Sequence, residues 1–425
     1  QKSVFYQDLA VYTMIREGLA YVLRGQHDNG LFDFVTCNFL STPDTAFCIK
    51  RIFPVLTYLD NHRTTREEEE IYQALFTIVR QGAAGLLEGG FHTPNHRWAI
   101  ASMLMVCGKL FDDPAMVNRA DEYLAEGIDC NEDGEYAEKS AGNYNRVNND
   151  AMISLGHTTK NKQYFEYAAR NLRMMLTYIE SDGNIFTGNS TRWDNGLKIY
   201  PTDYYMEYLE IGILLEIPEF LDMANYIFCL VEEKGMKAPD QLIHYMNHPQ
   251  WVELEHEGVW KQPEFHRFYQ ESGIARVHKP GFTYTVMKDK TCFLHMSTKT
   301  MEIQLKLGGG YFEHRAFAAE LMEQRDDNSF HLEQIMKGWY YLPFKEKQDT
   351  SDWWKMDNEK REKVLGPDLR LQADVKEIED GVEIHLNVTG VKKAPFRIEA
   401  AVTGASFIRG SQFDLKTEPG RTMIL

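Results

Sequence analysis

The sequence predicts an α+β protein of two domains: an N-terminal (α/α) toroid of helical hairpins over residues 1–250, then an antiparallel β-sandwich domain over residues 260–425. Three observations predict it. Apolar residues recur at helical spacing as far as about residue 235 and at strand spacing beyond the 245–265 boundary. A turn motif repeats between the predicted helices. Finally, 425 residues with 43% apolar content are too many for one small core.

Helical stripes run through residues 9–24, 46–60, 68–87, 95–111, 114–127 and 146–157. The clearest stripe is in "KQYFEYAARNLRMMLTYI", where Phe165, Ala168, Ala169, Leu172, Leu176 and Ile179 recur three or four residues apart. Residues 202–215 and 218–234 complete about nine helices joined by short links. The repeated turns are "DNGLFDF" (28–34), "EDGEYAE" (132–138) and "SDGNIFTG" (181–188). In each, a glycine suits a positive φ and an aromatic residue can fold back over the helix ends. Helical hairpins with such loops suggest a ring whose loops converge on one face; a generic helical bundle is the alternative.

Beyond "HPQWVELEHEGVW" the period becomes two. "MEIQLKL" (301–307) alternates strictly, and "VEIHLNV" (382–388) follows the turn "EDG" and pairs with "LRLQADVKEIE" as a hairpin. Residues 282–296 and 396–408 also read as strands. Residues 308–342 depart from alternation and gather Glu313, His314, Arg315, Glu333, Gln334 and Lys337, as a loop on a sheet rim or a solvated connection would. The terminal "GRTMIL" is strand-like, so the β domain is expected to be incomplete at its C-terminus.

Composition narrows the function. A net charge of −17 repels nucleic acid and anionic membranes, so an anionic ligand needs a local basic pocket. No stretch approaches the roughly 20 apolar residues of a membrane span. The start at "QKSVFYQD", without an initiator Met, fits a chain after signal removal, and a periplasmic or secreted protein is expected. Six cysteines without CxxC spacing indicate neither a zinc ribbon nor a disulfide scaffold and read mostly as buried thiols. His244 and His248 stand four apart, but no second ligand pair accompanies them. The sequence implies no cofactor and leaves a structural divalent cation open.

Three polar constellations stand out. In "FHTPNHRW" (91–98), Thr93 can cap a helix that Pro94 starts, which sets Asn95, His96 and Arg97 at its positive end with His92 beside them. A carboxylate would be held there; capping and packing is the plainer reading. In "GEYAEKSAGNYNRVNND" (134–150), Glu138, Tyr144, Asn145, Arg146 and Asn149 crowd a helix start with more amides than folding demands, although a solvated loop could carry them. In "STRWDNGLKIYPTDYY" (190–205), Arg192, Trp193 and Tyr204 suit sugar faces and hydroxyls, or form core.

Together these features resemble the polysaccharide lyases of the heparinase II/III-like and chondroitin AC/hyaluronate lyase type. "TPNHRW" is similar to their Asn- or Asn-His-bearing helix start, and "EDGEYAEKSAGNYN" to the segment whose tyrosine is catalytic, here Tyr144. "EQIMKGWYY" with "DWWKMDNEKREKVLGPD" resembles two β-domain segments, with Gln334 where those families usually carry Asn and "KVLGPD" in place of a PGTT run. The spacing from Glu138 to Tyr144 also differs, so the resemblance is to a divergent member with a supersandwich-like β domain.

The resemblance implies β-elimination on a uronic-acid glycan. The C5 proton lies beside an ionised carboxylate, so that charge must first be neutralised, by Asn95 with His96 or Arg97. Tyr144 or His96 is the base, and Tyr144 can return the proton to the leaving oxygen. Arg146, Arg192 and, across the cleft, His314 would assist. The implied partner is an anionic polysaccharide or oligosaccharide, and the oligomeric state stays unknown. Two alternatives remain: a toroid glycoside hydrolase drawing its acids from Asp133, Glu138, Asp150 and Asp194, and a non-catalytic glycan-binding protein.

Overall fold

The structure, a computed structural model, describes residues 3–239, 242–379, 381–416 and 422–424. It divides into two compact units, Gln1–Leu176 with Ile185–Gln262, and Thr177–Asn184 with Pro263–Leu425.

The first unit is helical. Its elements are α1 (Leu9–Gly25), the short hairpin β1 (Phe32–Phe34) and β2 (Asn38–Ser41), α2 (Thr42–His62), α3 (Arg66–Glu88), α4 (Pro94–Leu110), α5 (Pro114–Ala125), α6 (Tyr144–Thr159), α7 (Gln163–Leu176), α8 (Tyr205–Leu214), α9 (Pro218–Glu233) and α10 (Leu242–Asn247). All nine helical stripes form helices; α10 is additional. Each of α2, α4, α6 and α8 pairs with the helix that follows it, and the four also pack on one another in sequence. The short α10 packs back on α2, where Asn247 Nδ2 donates to Pro54 O at 3.0 Å, and the Tyr205 and Tyr245 hydroxyls meet at 2.6 Å. This closes an inner ring, with α3, α5, α7 and α9 outside it.

The sequence assigns helices to the two layers. α4 is buried on nearly every side from Trp98 to Gly108, as an inner helix surrounded by neighbours must be. α7 buries only one stripe, and α3, with its Thr65–Glu68 capping box, exposes a polar face of Arg66, Glu69, Gln73, Thr77 and Arg80. Near their ends, three inner helices carry a glycine against the returning outer helix. A Cβ on Gly108 would lie 2.8 Å from Val117, on Gly156 2.5 Å from Phe165, and on Gly212 2.8 Å from Leu221.

The predicted turn repeat is one conformation used three times. The N–H of His27, Asn131 and Glu180 donates to the carbonyl four residues on, at 2.9, 3.0 and 2.8 Å, around glycines at φ 82°, 99° and 85°. The first two turns lead towards the starts of α2 and α6.

The second unit is antiparallel β. Its strands are β3 (Phe265–Tyr269), β4 (Ile274–Lys279), β5 (Phe282–Met287), β6 (Cys292–Ser297), β7 (Glu302–Gly309), β8 (Leu321–Gln324), β9 (Phe330–Met336), β10 (Trp339–Tyr341), β11 (Lys363–Leu365), β12 (Leu369–Ile378), β13 (Gly381–Thr389), β14 (Phe396–Thr403), β15 (Phe407–Arg409), β16 (Asp414–Lys416) and β17 (Thr422–Ile424). A seven-stranded sheet, ordered β17-β14-β7-β6-β5-β4-β3, shares one apolar core with a four-stranded sheet, ordered β13-β12-β9-β8. The core runs from Val277, Tyr284 and Phe293 to Phe330, Leu332 and Leu371. The β12–β13 hairpin forms as read, with Arg370 opposite Thr389 and Ile378 opposite Gly381.

Two expectations are corrected. Residues 308–342 are not one loop but hold β8, β9 and β10; Gln334, at a buried position of β9, interrupts the apolar alternation that would have marked the strand. Of the six cysteines, Cys107 and Cys130 are buried, whereas Cys37, Cys48 and Cys229 are exposed. Of "GRTMIL", only Thr422–Ile424 is described, paired with β14; Gly420, Arg421 and Leu425 lie outside the described residues. Among the described residues no helix is long and apolar enough to cross a membrane.

Candidate active site

The site is built on the starts of the inner helices. Thr93 stands at the N-cap of α4, but its side chain makes no capping bond. The cap comes from 43 residues away: Glu138 Oε2 accepts from the Asn95 backbone N–H at 3.1 Å, and Oε1 from Asn95 Nδ2 at 3.0 Å. Unpaired N–H groups and the positive end of the helix dipole make this a good seat for a carboxylate. The carboxylate seated there is the protein's own.

Glu138 in turn meets Arg192, whose Nε lies 3.3 Å from Oε1. The Arg192 guanidinium lies over the Tyr144 ring, 4.9 Å from its centroid. Tyr144 is the first residue of α6, with its N–H donating to Ser140 Oγ at 3.1 Å. The loop beneath is braced by buried Asp194, which accepts from Ser140 Oγ at 2.9 Å, Ser190 Oγ at 2.6 Å and Gly142 N at 2.9 Å. Burial pushes the Glu138 carboxyl above the usual carboxylate range, against the opposing pull of the Asn95 amide and Arg192.

His96 is buried one residue beyond Asn95, edge-on to His92 with ring centroids 4.8 Å apart. Burial, with His92 and Arg192 nearby, pulls its pKa down to about 4, and Asp44 of α2 opposes this. At neutral pH the ring is therefore uncharged. Asn95 Oδ1 and His96 Nδ1 are buried without a hydrogen-bond partner among the described residues.

Asn95, His96, His92, Glu138, Tyr144 and Arg192 thus gather in one place. Others are drawn elsewhere. Arg97 lies over the Trp98 ring at 3.9 Å and pairs with Glu126 at 3.0 Å, so it adds no charge beside Asn95. Asn145 is buried against Met175 Sδ at 3.7 Å. Arg146 pairs with Asp150 at 3.4 Å, and Lys50 reaches the same carboxylate at 2.6 Å.

Asn149 is fully buried, accepting from Tyr136 at 3.1 Å and donating to Asn171 and Glu207 at 2.9 and 3.0 Å. Tyr204 is buried too, donating to Ala141 O at 2.5 Å, which makes it a support of the Tyr144 loop and not a sugar platform. Trp193 is exposed. His314 belongs to the second unit, in a backbone bridge with Tyr311.

Sequence reasoning missed Asp44, Lys50 and Glu207. "STPD" at 41–44 carried a capping signal, and Glu207 is an acid within the apolar run "YMEYLEIGIL". Among the described residues no three His, Cys, Asp or Glu side chains gather as a metal-holding group, and His248 instead stacks on Trp251 at 4.2 Å. Chemically, the cluster offers a phenol for proton transfer, a guanidinium above it, a neutral imidazole and an amide oxygen.

No protein-family model matches the chain, and no curated protein matches it by sequence. Solved structures do match. The Streptomyces coelicolor A3 chondroitin AC lyase, solved with chondroitin sulphate, aligns at TM-score 0.53 and 11% identity over 99% of this chain and 74% of that one. A Paenibacillus xanthan lyase aligns at TM-score 0.43 and 9% identity, over 95% of this chain and 61% of that one. A glycoside hydrolase aligns at 0.35 and 9%, over 98% and 84%. In fold, the chain is similar to the chondroitin AC lyase: a helical toroid followed by antiparallel β-sheets.

Proposed function

We propose that the protein is a polysaccharide lyase that cleaves a uronic-acid-containing glycan by β-elimination. The observation that carries this reading is the Arg192 guanidinium over the Tyr144 ring, next to the Asn95–Glu138 pair. Tyr144 as phenolate takes the C5 proton, the released electron pair forms the C4–C5 double bond, and the C4–oxygen bond breaks. The tyrosine hydroxyl then returns its proton to the leaving oxygen. In this reading the Arg192 charge, over the Tyr144 ring, favours the phenolate and offsets the uronate carboxylate.

Neutralisation, expected of Asn95 and His96, falls to Arg192 in this reading. His96 is uncharged at neutral pH, and with a pKa near 4 it is too weak a base to displace Tyr144 from that role. A carboxylate can only accept hydrogen bonds, so Glu138 fixes the Asn95 amide with its nitrogen towards the carboxylate and its Oδ1 buried on the other side. The hydrolase alternative lacks a free acid pair among three of its candidates. Asp194 braces a loop, Asp150 is paired with Lys50 and Arg146, and Glu138 holds Asn95. An extracellular polymer as substrate fits a secreted or periplasmic protein.

The test is a panel of heparan, chondroitin, hyaluronan, alginate, ulvan and rhamnose–glucuronate glycans followed by the ultraviolet absorbance of an unsaturated uronate. At least one should yield product, and Tyr144→Phe should lower kcat by about 10²-fold or more. That substitution should leave stability unchanged, because the Tyr144 hydroxyl makes no hydrogen bond to a described residue. No absorbance from any glycan overturns the reading. Binding without turnover identifies a glycan-binding protein instead.

A further inference from the structure

We propose that Glu138 is a positioning residue, whose carboxylate sets the Asn95 amide and the Arg192 guanidinium, and through Arg192 the Tyr144 phenol, in register for reaction. The proposal rests on the lyase reading above and gives Glu138 a role other than substrate contact.

The geometry carries it. Glu138 is almost fully buried, and both carboxylate oxygens accept hydrogen bonds, Oε2 from the Asn95 N–H at 3.1 Å and Oε1 from Asn95 Nδ2 at 3.0 Å, while Arg192 Nε lies 3.3 Å from Oε1 as an ion pair without hydrogen-bond geometry. Its own backbone is pinned, because Glu138 O accepts from the Thr191 N–H at 3.3 Å and from Thr191 Oγ1 at 2.8 Å. Thr191 is the residue before Arg192, so one acid ties the start of α4 to the loop that carries the cation. A folding role alone would need only the α4 cap. The reach to Arg192 is the additional feature, since this guanidinium is the one lying over Tyr144.

Two consequences separate positioning from mere support. Glu138 offsets part of the Arg192 charge, so a neutral residue there leaves Arg192 a stronger anion binder that is no longer held over the phenol. Glu138→Gln should therefore lower kcat by roughly 10²-fold without raising KM. The second consequence concerns pH. Around Glu138 stand Asn95 from α4, Arg192 with Tyr144 beneath it, and Asp129 from the loop after α5, the last opposing ionisation. The ionised carboxylate is the form that holds Arg192. Activity should fall as pH drops through the raised Glu138 pKa, and this acid limb should be missing from Glu138→Gln.

The experiment measures kcat, KM and the pH profile of the full chain, wild type, Glu138→Gln and Glu138→Asp, on whichever glycan of the panel gives unsaturated product. Thermal unfolding is recorded for each. Expected are a low kcat, an unraised KM and loss of the Glu138 limb for Glu138→Gln, whose profile keeps only the fall set by the tyrosine base, with Glu138→Asp, which keeps the charge at shorter reach, retaining the Glu138 limb at reduced kcat. If Glu138→Gln does not fold, Glu138→Asp decides, because a wild-type kcat there refutes the positioning role. A folded Glu138→Gln with wild-type kcat, or with raised KM and unchanged kcat, also refutes it. A wild type that yields no unsaturated product from any glycan defeats the lyase reading itself, a different outcome from an active wild type with an indifferent Glu138.

Discussion

Asn95 and Glu138 form a closed pair across 43 residues: the backbone N–H of Asn95 and its side-chain amide both donate to one carboxylate, at 3.1 and 3.0 Å. The second amide hydrogen goes to Thr93 Oγ1 at 3.1 Å, so the side chain has no donor left. In Asn95→Asp a carboxylate would face a carboxylate in a buried site, where two like charges cannot both ionise. The unfolding midpoint of Asn95→Asp should lie below that of Asn95→Ala at pH 8, and the gap should narrow at pH 5 as the pair takes up a proton. Truncation to Ala alone should cost roughly 1–3 kcal/mol, the desolvation left on an unpaired buried group. Thermal melts at the two pH values check this, and an equal gap at both would contradict it.

His96 predicts an acid-sensitive fold. Its folded pKa of about 4 lies below the ordinary 6.5, so between these values the unfolded chain holds a proton that the folded chain refuses. Stability conferred by the neutral buried ring is complete above pH 6.5 and is lost as pH falls towards 4. The loss amounts to roughly 3 kcal/mol at most. His96→Gln cannot titrate, so its urea midpoint should drop less than that of the wild type between pH 7.5 and 4.5. Parallel drops in the two proteins would rule this out.

The fold was legible because it rests on local periods. The nine stripes and the three glycine turns depend on spacings of a few residues, and each formed, although α7 stops at Leu176, short of Ile179. The site depends on meetings that no short window contains. Arg97 looked like the cation beside Asn95, yet two positions along a helix turn a side chain by roughly 200°. It therefore points to Glu126, and the cation at the site is Arg192, from 97 positions away. The amides of α6 misled for a related reason. An inner helix buries polar side chains as well as apolar ones, and buried amides must find partners, so Asn149 joins Tyr136, Asn171 and Glu207 and not a ligand. In the β unit, Gln334 at a buried position of β9 hid the alternation, and its Oε1 accepts from Ala318 N at 3.0 Å.

Glu207 should behave as a buried acid held neutral. Burial and the nearby Asp150 push its carboxyl well above the carboxylate range, and Oε2 accepts from Asn149 Nδ2 at 3.0 Å. A carboxyl whose acid form the fold favours costs stability as pH rises above its unfolded value. Glu207→Gln keeps the volume without that cost, so it should match the wild type within about 1 kcal/mol at pH 6 and gain on it towards pH 9. Glu207→Ala leaves Asn149 short of a partner beside a cavity and should lose roughly 2–4 kcal/mol. Chemical unfolding of the three proteins gives the order, and a Gln variant as weak as the Ala variant would show that the charged form is the one the fold uses.

In the β unit, Arg276 and Glu180 make a buried ion pair at 2.7 Å, Arg276 fully enclosed and Glu180 nearly so. Arg276 also donates to Thr177 O at 3.0 Å and to Thr285 Oγ1 at 2.5 Å, and Ser297 donates to the other Glu180 oxygen. The segment Thr177–Asn184 is thereby fastened to β4, β5 and β6 through charge, on sheet positions where buried threonines stand in place of aliphatic side chains. Such a pair adds little net stability over apolar residues of equal volume, but losing one partner strands the other charge. Glu180→Ala should destabilise the β unit by roughly 3–5 kcal/mol, whereas the double variant Glu180→Leu with Arg276→Met should recover most of that loss. Hydrogen exchange on β4–β6 reports the effect where it arises. If the double variant proves as unstable as Glu180→Ala, the hydrogen bonds to Thr177, Thr285 and Ser297, and not the paired charges, hold this segment in place.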